Sequence, residues 1–226
     1  MNNYYHKWQN LENIELSCSK IVCVGKNYAD HIKEMNSATP KQAVLFIKPP
    51  SALCDANQAI KISHLKHLGA MHHELEIALL IGETIDTEFD GDILAAICGI
   101  GLGIDLTLRD LQSELKKQGH PWERSKSFDG SCALSTFINL IDHKDMNFDN
   151  LELELFLNSN SQQFSNSSMM LNPISKLLND ISKIFTLEAG DVVLTGTPAG
   201  VGPLRVGDHL SGVLNNQTLI IDTEII

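Results

Sequence analysis

The chain has 226 residues, a length that suits one large domain or two small ones with a sizeable hydrophobic core. It carries 17 Lys and Arg residues against 28 Asp and Glu residues, and the net charge of −11 argues against nucleic acid or an anionic membrane as the main partner. The longest uncharged apolar run, residues 93–104, is shorter than the roughly 18 residues that a membrane-spanning segment needs.

The cysteines and the N-terminus bear on the compartment. Five cysteines form no C-x-x-C pair, which is typical of reduced thiols in the core of a cytoplasmic protein. A redox or nucleophilic role for one of them is the alternative. The polar N-terminal stretch lacks the apolar core of a signal peptide, so we expect a cytoplasmic location.

Short segments rich in Val, Ile and Leu, bounded by Gly, Asn, Asp or Pro, predict seven strands. They are residues 20–25, 44–48, 74–82, 97–106, 151–157, 191–195 and 217–225.

Three helices are predicted between these strands. The first covers residues 28–35, with Asn27 as its N-cap. The second follows Thr107, which opens a capping-box pattern with Asp110, and ends near residue 117 before Gly119. The third follows Pro173, with apolar residues at helical spacing up to residue 184. Because strands outnumber helices and do not alternate regularly with them, we predict a β-rich α+β fold.

Two glutamates at the start of a buried strand are the most informative feature. Glu74 and Glu76 alternate along the strand and therefore share a face. Neighbouring carboxylates beside a core strand repel each other and are costly to desolvate, and a bound hard cation such as Mg2+ relieves both effects. The alternative is an edge strand with both carboxylates in water.

Asp105 ends the strand predicted at residues 97–106, just before a helix, where a third oxygen ligand would fit. The alternative is an ordinary turn or cap residue. Arg109 and Gln112 follow on that helix and could face the same site.

His31 and Glu34 are three residues apart on the first predicted helix, which puts them on one face. A histidine oriented by a carboxylate is the usual arrangement for activating water. The alternative is a solvated pair on an amphipathic helix.

Two lysines and a threonine complete the candidates. Lys126 lies in a predicted loop, where a surface role is the usual one, whereas Lys48 ends a buried strand before two prolines. Thr197 lies in a glycine- and proline-rich loop that could present its hydroxyl and backbone amides to an anion. This loop is not a P-loop, because the terminal Gly-Lys-Ser/Thr is absent.

Six motifs resemble the fumarylacetoacetate hydrolase superfamily in order and spacing: VCVGKNYADHIKEM, VLFIKP, HHELEIALLIG, GIDLTLRDLQ, PWERSKSFDGSC and GDVVLTGTPAGVGPL. The resemblance is to its short single-domain members and covers about residues 21–212. It implies a mixed β-sheet roll with a few flanking helices, usually a homodimer. Residues 1–19 would form an N-terminal extension and residues 20–226 a single catalytic domain.

The resemblance also implies roles for the candidate residues. Glu74, Glu76 and Asp105 match the carboxylates that hold Mg2+ or Mn2+. His31 and Glu34 match a pair thought to activate water, and Lys126 matches a lysine that stabilises oxyanion charge. The substrate-contacting candidates are Lys26, Lys48, Arg109, Gln112 and Thr197.

The chain departs from the family pattern in two places. Lys26 stands where relatives often have Arg, which leaves its role open because Arg and Lys are not interchangeable at a carboxylate. A hairpin that usually contains glycines reads Asn158, Ser159 and Asn160, so its turn geometry could differ.

The activity implied is divalent-metal-dependent hydrolysis of a C–C bond in acylpyruvates or other 2,4-dioxo acids, such as fumarylpyruvate or acetylpyruvate, giving pyruvate and a carboxylic acid. Tautomerisation or decarboxylation of oxaloacetate through the same metal-stabilised enolate is the alternative. A non-catalytic metal- or ligand-binding protein and a related hydratase are further alternatives. The expected partner is a small 2-oxo acid.

Overall fold

The structure is a computed structural model that describes residues 4–215 and 218–226. Its strands are β1 (Ile21–Gly25), β2 (Val44–Lys48), β3 (Leu53–Asp55), β4 (Met71–His73), β5 (Leu75–Ile81), β6 (Ile97–Asp105), β7 (Thr107–Leu108), β8 (Cys132–Leu134), β9 (Ile138–Asn139), β10 (Glu152–Leu157), β11 (Asn160–Asn166), β12 (Val192–Leu194), β13 (Gly202–Pro203), β14 (His209–Leu214) and β15 (Thr218–Glu224). Its α-helices are α1 (Ala29–Glu34), α2 (Arg109–Gln118), α3 (Glu123–Lys126) and α4 (Ile174–Ser182).

The described strands form three sheets. The largest has the order β2-β1-β12-β5-β6-β8-β3, with β9 added to β6. It is mixed, because β1 pairs with β12 and β3 with β8 in parallel, while its other pairs are antiparallel. A second, antiparallel sheet has the order β11-β10-β14-β15, and a small third sheet has the order β13-β4-β7. The β-rich α+β prediction is confirmed.

The core lies on both faces of the large sheet, and β5 is buried along its whole length. Ile77 and Leu79 pack into a cluster that includes Leu153 and Leu155 of the second sheet. Leu80, on the opposite face, packs in another cluster that also contains residues before β1. A strand buried on both faces explains the continuous apolar run in the sequence.

The N-terminal segment covers that opposite face. Ile14 is buried there, and Trp8 forms a β-bridge with Phe137. Residues 1–3 of the predicted extension, residues 1–19, lie outside the described residues. The division of the chain at residue 20 stays a prediction.

The strand predictions hold in position, with differences at the ends. The strand predicted at residues 74–82 begins at Leu75, because the chain breaks its pairing at Glu74, between β4 and β5. Residue 217, at the start of the last predicted strand, lies outside the described residues. Several strands were not predicted because they are very short or, like β11, polar.

The predicted N-terminal caps of α1 and α2 are wrong, because the side chains of Asn27, Thr107 and Asp110 make other contacts. Asn27 does not cap α1. Its side-chain Nδ2 donates to Thr195 O at 2.8 Å, and its side-chain Oδ1 accepts from Asn172 N at 2.9 Å. At the start of α2, Thr107 donates to Asp105 O and Asp110 accepts from Ala70 N, so no capping box forms. Gly119 ends α2 in the left-handed conformation, as predicted.

The hairpin without glycine keeps a tight turn. Asn158 and Ser159 have φ values of 51° and 66°, and Leu157 pairs with Asn160 across them. Two residues with positive φ between paired strands are the mark of a type I′ turn. The missing glycines therefore leave the two-residue turn intact.

Candidate active site

Three carboxylates converge at the end of the β5–β6 pair. Glu74 precedes β5, Glu76 lies on it, and Asp105 ends β6. The backbone amide of Asp105 donates to the backbone oxygen of Glu74 at 2.8 Å. One oxygen from each carboxylate lies within 4.8 Å of the other two, and all three residues are buried. An oxygen-only donor set at this spacing fits a hard divalent cation.

Three cations are packed against these carboxylates. Lys126 Nζ lies 2.9 Å from Glu74 Oε2 and 2.5 Å from Asp105 Oδ2. Lys48 Nζ lies 2.8 Å from Asp105 Oδ1, and Arg109 is paired with Glu74. Buried charges need such partners, because neither sign could otherwise leave water.

The cations do not reach all three carboxylates equally. Burial alone would raise the pKa of Glu74, but the charges of Lys126 and Arg109 outweigh it and lower that pKa. Burial and the neighbouring charge of Asp105 raise the pKa of Glu76 well above its ordinary value. The carboxylate of Glu76 accepts a hydrogen bond of 2.6 Å from Gly196 N. Glu76 therefore gains most from a further positive charge.

Lys126 lies on the short helix α3, and the prediction of a loop there is wrong. Its side chain is buried, with Nζ 5.2 Å from the ring centre of Phe46. Burial would lower the pKa of Lys126, but Asp105 and Glu74 raise it, so the side chain is a fixed ammonium.

Lys48 lies behind the carboxylates. Its side chain is fully buried, and Nζ donates to Ser131 O and Ser131 Oγ at 3.0 Å and to the backbone oxygen of Lys126. It does not line the pocket above the carboxylates. The structure therefore places Lys48 where it holds Asp105 and α3, and its contact with a substrate stays a prediction.

His31 and Glu34 form the predicted pair on α1. His31 Nδ1 lies 3.1 Å from Glu34 Oε2, and Glu34 Oε1 accepts from Gly200 N at 3.0 Å. His31 is buried and lines the pocket, whereas Glu34 is exposed and does not line it. With Nδ1 on Glu34, Nε2 is the ring nitrogen left for chemistry in the pocket.

One pocket brings most candidate residues together. Arg109 donates to Gln112 Oε1 at 2.7 Å, so both are fixed beside Glu74. The predicted residues that line the pocket are Lys26, His31, Glu74, Glu76, Asp105, Arg109, Gln112, Lys126 and Thr197. Lining residues that the sequence did not indicate include Phe46, Lys116 and Trp122.

Gln163 is a further residue that sequence reasoning missed. Its fully buried side chain accepts hydrogen bonds of 3.0 Å from His73 Nδ1 and Leu75 N, the residues on either side of Glu74. Its amide nitrogen donates to Thr197 Oγ1 at 2.8 Å. No local signal marks it, because it lies in the polar strand β11, far from these partners in sequence.

Comparisons with known proteins identify the family and the fold. The family model described as fumarylacetoacetate (FAA) hydrolase C-terminal matches residues 20–220. The chain belongs to this family. The resemblance carried by the six motifs is thereby confirmed.

Similar proteins include oxaloacetate tautomerases. The chain is 46% identical to oxaloacetate tautomerase YcgM of Escherichia coli (strain K12) over 215 residues, which covers 95% of this chain and 96% of that protein. It is 39% identical to the mitochondrial oxaloacetate tautomerase of Homo sapiens, covering 84% of each chain.

Solved structures share the whole fold. A fumarylacetoacetate hydrolase family protein from Yersinia pestis CO92 has a TM-score of 0.93 and 44% identity, covering 99% of this chain and 100% of its own. The fumarylpyruvate hydrolase of Pseudomonas aeruginosa, in complex with Mn2+ and pyruvate, has a TM-score of 0.89 at 23% identity, covering 99% and 95%. At that identity the likeness is one of fold. None of the helices in the described part of the chain has the length and apolar character to cross a membrane.

Proposed function

We propose that this protein catalyses the keto–enol tautomerisation of oxaloacetate, with Mg2+ or Mn2+ held by Glu74, Glu76 and Asp105. The observation that carries the proposal is the 46% identity, over nearly the full length of both chains, to an oxaloacetate tautomerase. The convergence of three buried carboxylates supports the metal site. Mg2+ and Mn2+ both accept oxygen-only ligands.

Tautomerisation takes precedence over the acylpyruvate hydrolysis that the sequence first suggested. The fumarylpyruvate hydrolase of Pseudomonas aeruginosa is 23% identical and shares the fold alone, whereas the oxaloacetate tautomerase of Escherichia coli is 46% identical. Hydrolysis and decarboxylation use the same kind of enolate, so the assay below measures their products as well.

The chain's own residues suit a proton transfer between the 2-hydroxyl oxygen and C3. A bound divalent cation would supply Lewis-acid chemistry, because it would draw charge from the 2-oxo oxygen and stabilise an enolate. Lys126 is a permanent cation beside two of the proposed ligands and would stabilise the same developing charge. Thr197 and Gln112 would bind and orient the oxygen atoms of the substrate.

His31 is the proposed proton carrier. Its Nδ1 is held by Glu34, which is itself held by the Gly200 amide, and His31 lines the pocket, so Nε2 would be the nitrogen that meets the substrate. As the enol ketonises, a proton leaves the 2-hydroxyl oxygen and one arrives at C3, with no net change in composition. His31 Nε2 would take and return that proton directly or through water.

The test follows enol oxaloacetate by its ultraviolet absorbance while coupled assays follow pyruvate. The wild-type protein with Mg2+ is expected to accelerate loss of the enol without a matching release of pyruvate. His31→Ala should lower this rate by about 100-fold or more, since a general acid–base contributes that much, while Mg2+ still binds. Stoichiometric pyruvate from acetylpyruvate or oxaloacetate, with no enol conversion, would replace tautomerisation by hydrolysis or decarboxylation.

EDTA tests the metal. Removal of divalent ions is expected to abolish the enzymatic rate, and Mg2+ or Mn2+ should restore it. An unchanged rate in EDTA would contradict the metal site. Metal binding without any turnover would identify a non-catalytic metal-binding protein.

The proposal extends to the setting of the reaction. The five cysteines are free, which supports a reducing compartment such as the cytoplasm. The expected partner is a small 2-oxo acid and not nucleic acid. The homodimer stays a prediction, and sedimentation equilibrium would test it.

A further inference from the structure

Two lysines, Lys26 and Lys116, lie at the mouth of the pocket. The proposed metal ligands and Lys126 form the buried floor, whereas Lys26 is half-buried and Lys116 is exposed. Both lysines nevertheless line the same pocket as the floor. They come from separate parts of the chain: Lys26 follows β1, and Lys116 lies in the last turn of α2.

Neither lysine has an acidic partner. Within residues 4–215 and 218–226 no ion pair includes Lys26 or Lys116. Lys26 Nζ makes one long hydrogen bond of 3.5 Å, to Ala38 O. Partial burial, and then the positive charges of Lys26 and Arg109, lower the pKa of Lys116. The mouth therefore concentrates positive charge that the protein itself does not neutralise.

An anion in the pocket would relieve this repulsion. Arg109 is paired with Glu74 and donates to Gln112, and Lys126 is paired with Glu74 and Asp105. The charges of these two cations are therefore balanced by carboxylates at the floor of the pocket. A 2-oxo acid bound by its carboxylate and oxo group at the floor would leave its remaining substituent toward the mouth. A negative charge on that substituent would meet the two unpaired lysines.

We propose that Lys116, together with Lys26, binds the distal carboxylate of the substrate and thereby selects 2-oxo dicarboxylates over 2-oxo monocarboxylates. This inference rests on the proposed function, since it names the substrate class of the same site. The lysine at position 26 suits the role: a single ammonium can share a carboxylate with Lys116 without the fork geometry of arginine.

The test compares two ligands that differ only at the distal end. Oxaloacetate and 2-oxobutyrate have the same 2-oxo acid group, but the first ends in a carboxylate and the second in a methyl group. Trp122 lines the pocket, so its fluorescence can report binding of either acid to the Mg2+-loaded protein in a stopped-flow instrument. Rapid mixing measures oxaloacetate before it decarboxylates.

Lys116→Met is expected to weaken oxaloacetate binding by about fivefold or more, as for loss of one exposed but focused charge pair, with 2-oxobutyrate within about twofold. Lys116→Arg should restore most of the preference. Lys117→Met is the matched control, because Lys117 is the exposed neighbour on the same helix and does not line the pocket. The preference for oxaloacetate should also fall as salt screens the pair.

The outcomes separate the two proposals. Equal weakening of both acids by Lys116→Met, or no weakening of either, would overturn the role of Lys116 while leaving the tautomerase intact. If neither acid bound to the wild-type protein, the proposed function itself would fail, and the selectivity inference with it. Because Lys116 is exposed, the Met variant should keep the wild-type melting temperature.

Discussion

Gln163 Oε1 accepts a hydrogen bond of 3.0 Å from His73 Nδ1, which joins the polar hairpin strand β11 to the residue before a proposed metal ligand. The bond requires a proton on Nδ1 of His73. Burial lowers the pKa of His73, so the ring is neutral and this tautomer is held. The position of Glu74 thus depends on a side chain from the second sheet.

Gln163→Leu is expected to lower the free energy of unfolding by about 2–4 kcal/mol, because the buried His73 ring and Leu75 amide lose their acceptor. Chemical denaturation measures this change. Gln163→Glu keeps the acceptor but loses the donor to Thr197, so it should recover part of the loss. Gln162→Leu is the control, since Gln162 is exposed. Equal stability of the Leu variants at positions 162 and 163 would contradict the role given to Gln163.

Lys48→Met should lower the free energy of unfolding by about 3–5 kcal/mol, because it leaves Asp105 with one fewer buried counterion and removes the donor to Ser131. The same change removes a positive charge beside a proposed metal ligand, so Mg2+ affinity measured by calorimetry should rise. Lys41→Met, at an exposed lysine, should change neither quantity. Weaker Mg2+ binding in a folded Lys48→Met protein would contradict the prediction.

Asp191 ties the segment before β1 to the turn before β12. Its Oδ1 accepts from Ser19 N, Ser19 Oγ and Lys20 N, and its Oδ2 from Glu188 N and Lys20 Nζ. Burial would raise the pKa of Asp191, but the bonds from Lys20, Glu188 and Ser19 lower it below 3.8. The stabilisation by the ionised carboxylate is therefore fully present above pH 3.8, the ordinary pKa of an aspartate. It is lost as the pH falls from 3.8 through the lower pKa of the folded state.

Asp191→Asn should therefore cost about 2–3 kcal/mol of unfolding free energy at pH 7, with the deficit shrinking below pH 4. Urea denaturation across this pH range measures both effects. Asp180→Asn is the control, because its pair with Lys183 is exposed and worth little. A deficit that stayed constant down to acid pH would show that the charge of Asp191 is not responsible.

Gly200→Ala tests the loop that holds Glu34. Gly200 has a φ of +96°, and an added Cβ would collide with the backbone oxygen of Gln162. Gly207→Ala is a matched control, since φ is +95° but no atom lies within 4 Å of its Cβ. We expect the variant at 207 to lose about 1 kcal/mol through backbone strain and the variant at 200 to lose clearly more. Similar melting temperatures for the Gly200→Ala and Gly207→Ala variants would contradict the predicted collision with Gln162.

Local patterns in the sequence predict the parts of the site that lie on regular elements. The apolar run after Glu76 predicts a buried strand, and alternation puts Glu74 and Glu76 on one face, as the structure has them. The pairing of His31 with Glu34 follows from helical spacing in the same way. The convergence of Asp105 with the glutamates came from family resemblance, because pairing of β5 with β6 is a tertiary choice.

Tertiary competition explains what the sequence could not predict. Asparagine is a common N-cap residue, but the side-chain amide of Asn27 instead forms hydrogen bonds with the backbone of two distant segments. Lys48 ends β2, but the sequence could not show that its buried ammonium pairs with Asp105. No local sequence pattern indicates Gln163 or Lys116, because the role of each depends on contacts with residues distant in the chain.

The place of β12 between β1 and β5 has a consequence for synthesis on the ribosome. Both partners, β1 and β5, are translated before Val192–Leu194. Until then the nascent polypeptide carries two open strand edges, which are prone to wrong pairing and to chaperone capture. The Gly196 amide that donates to Glu76 follows β12 directly, so the pocket is completed only after this segment has been translated.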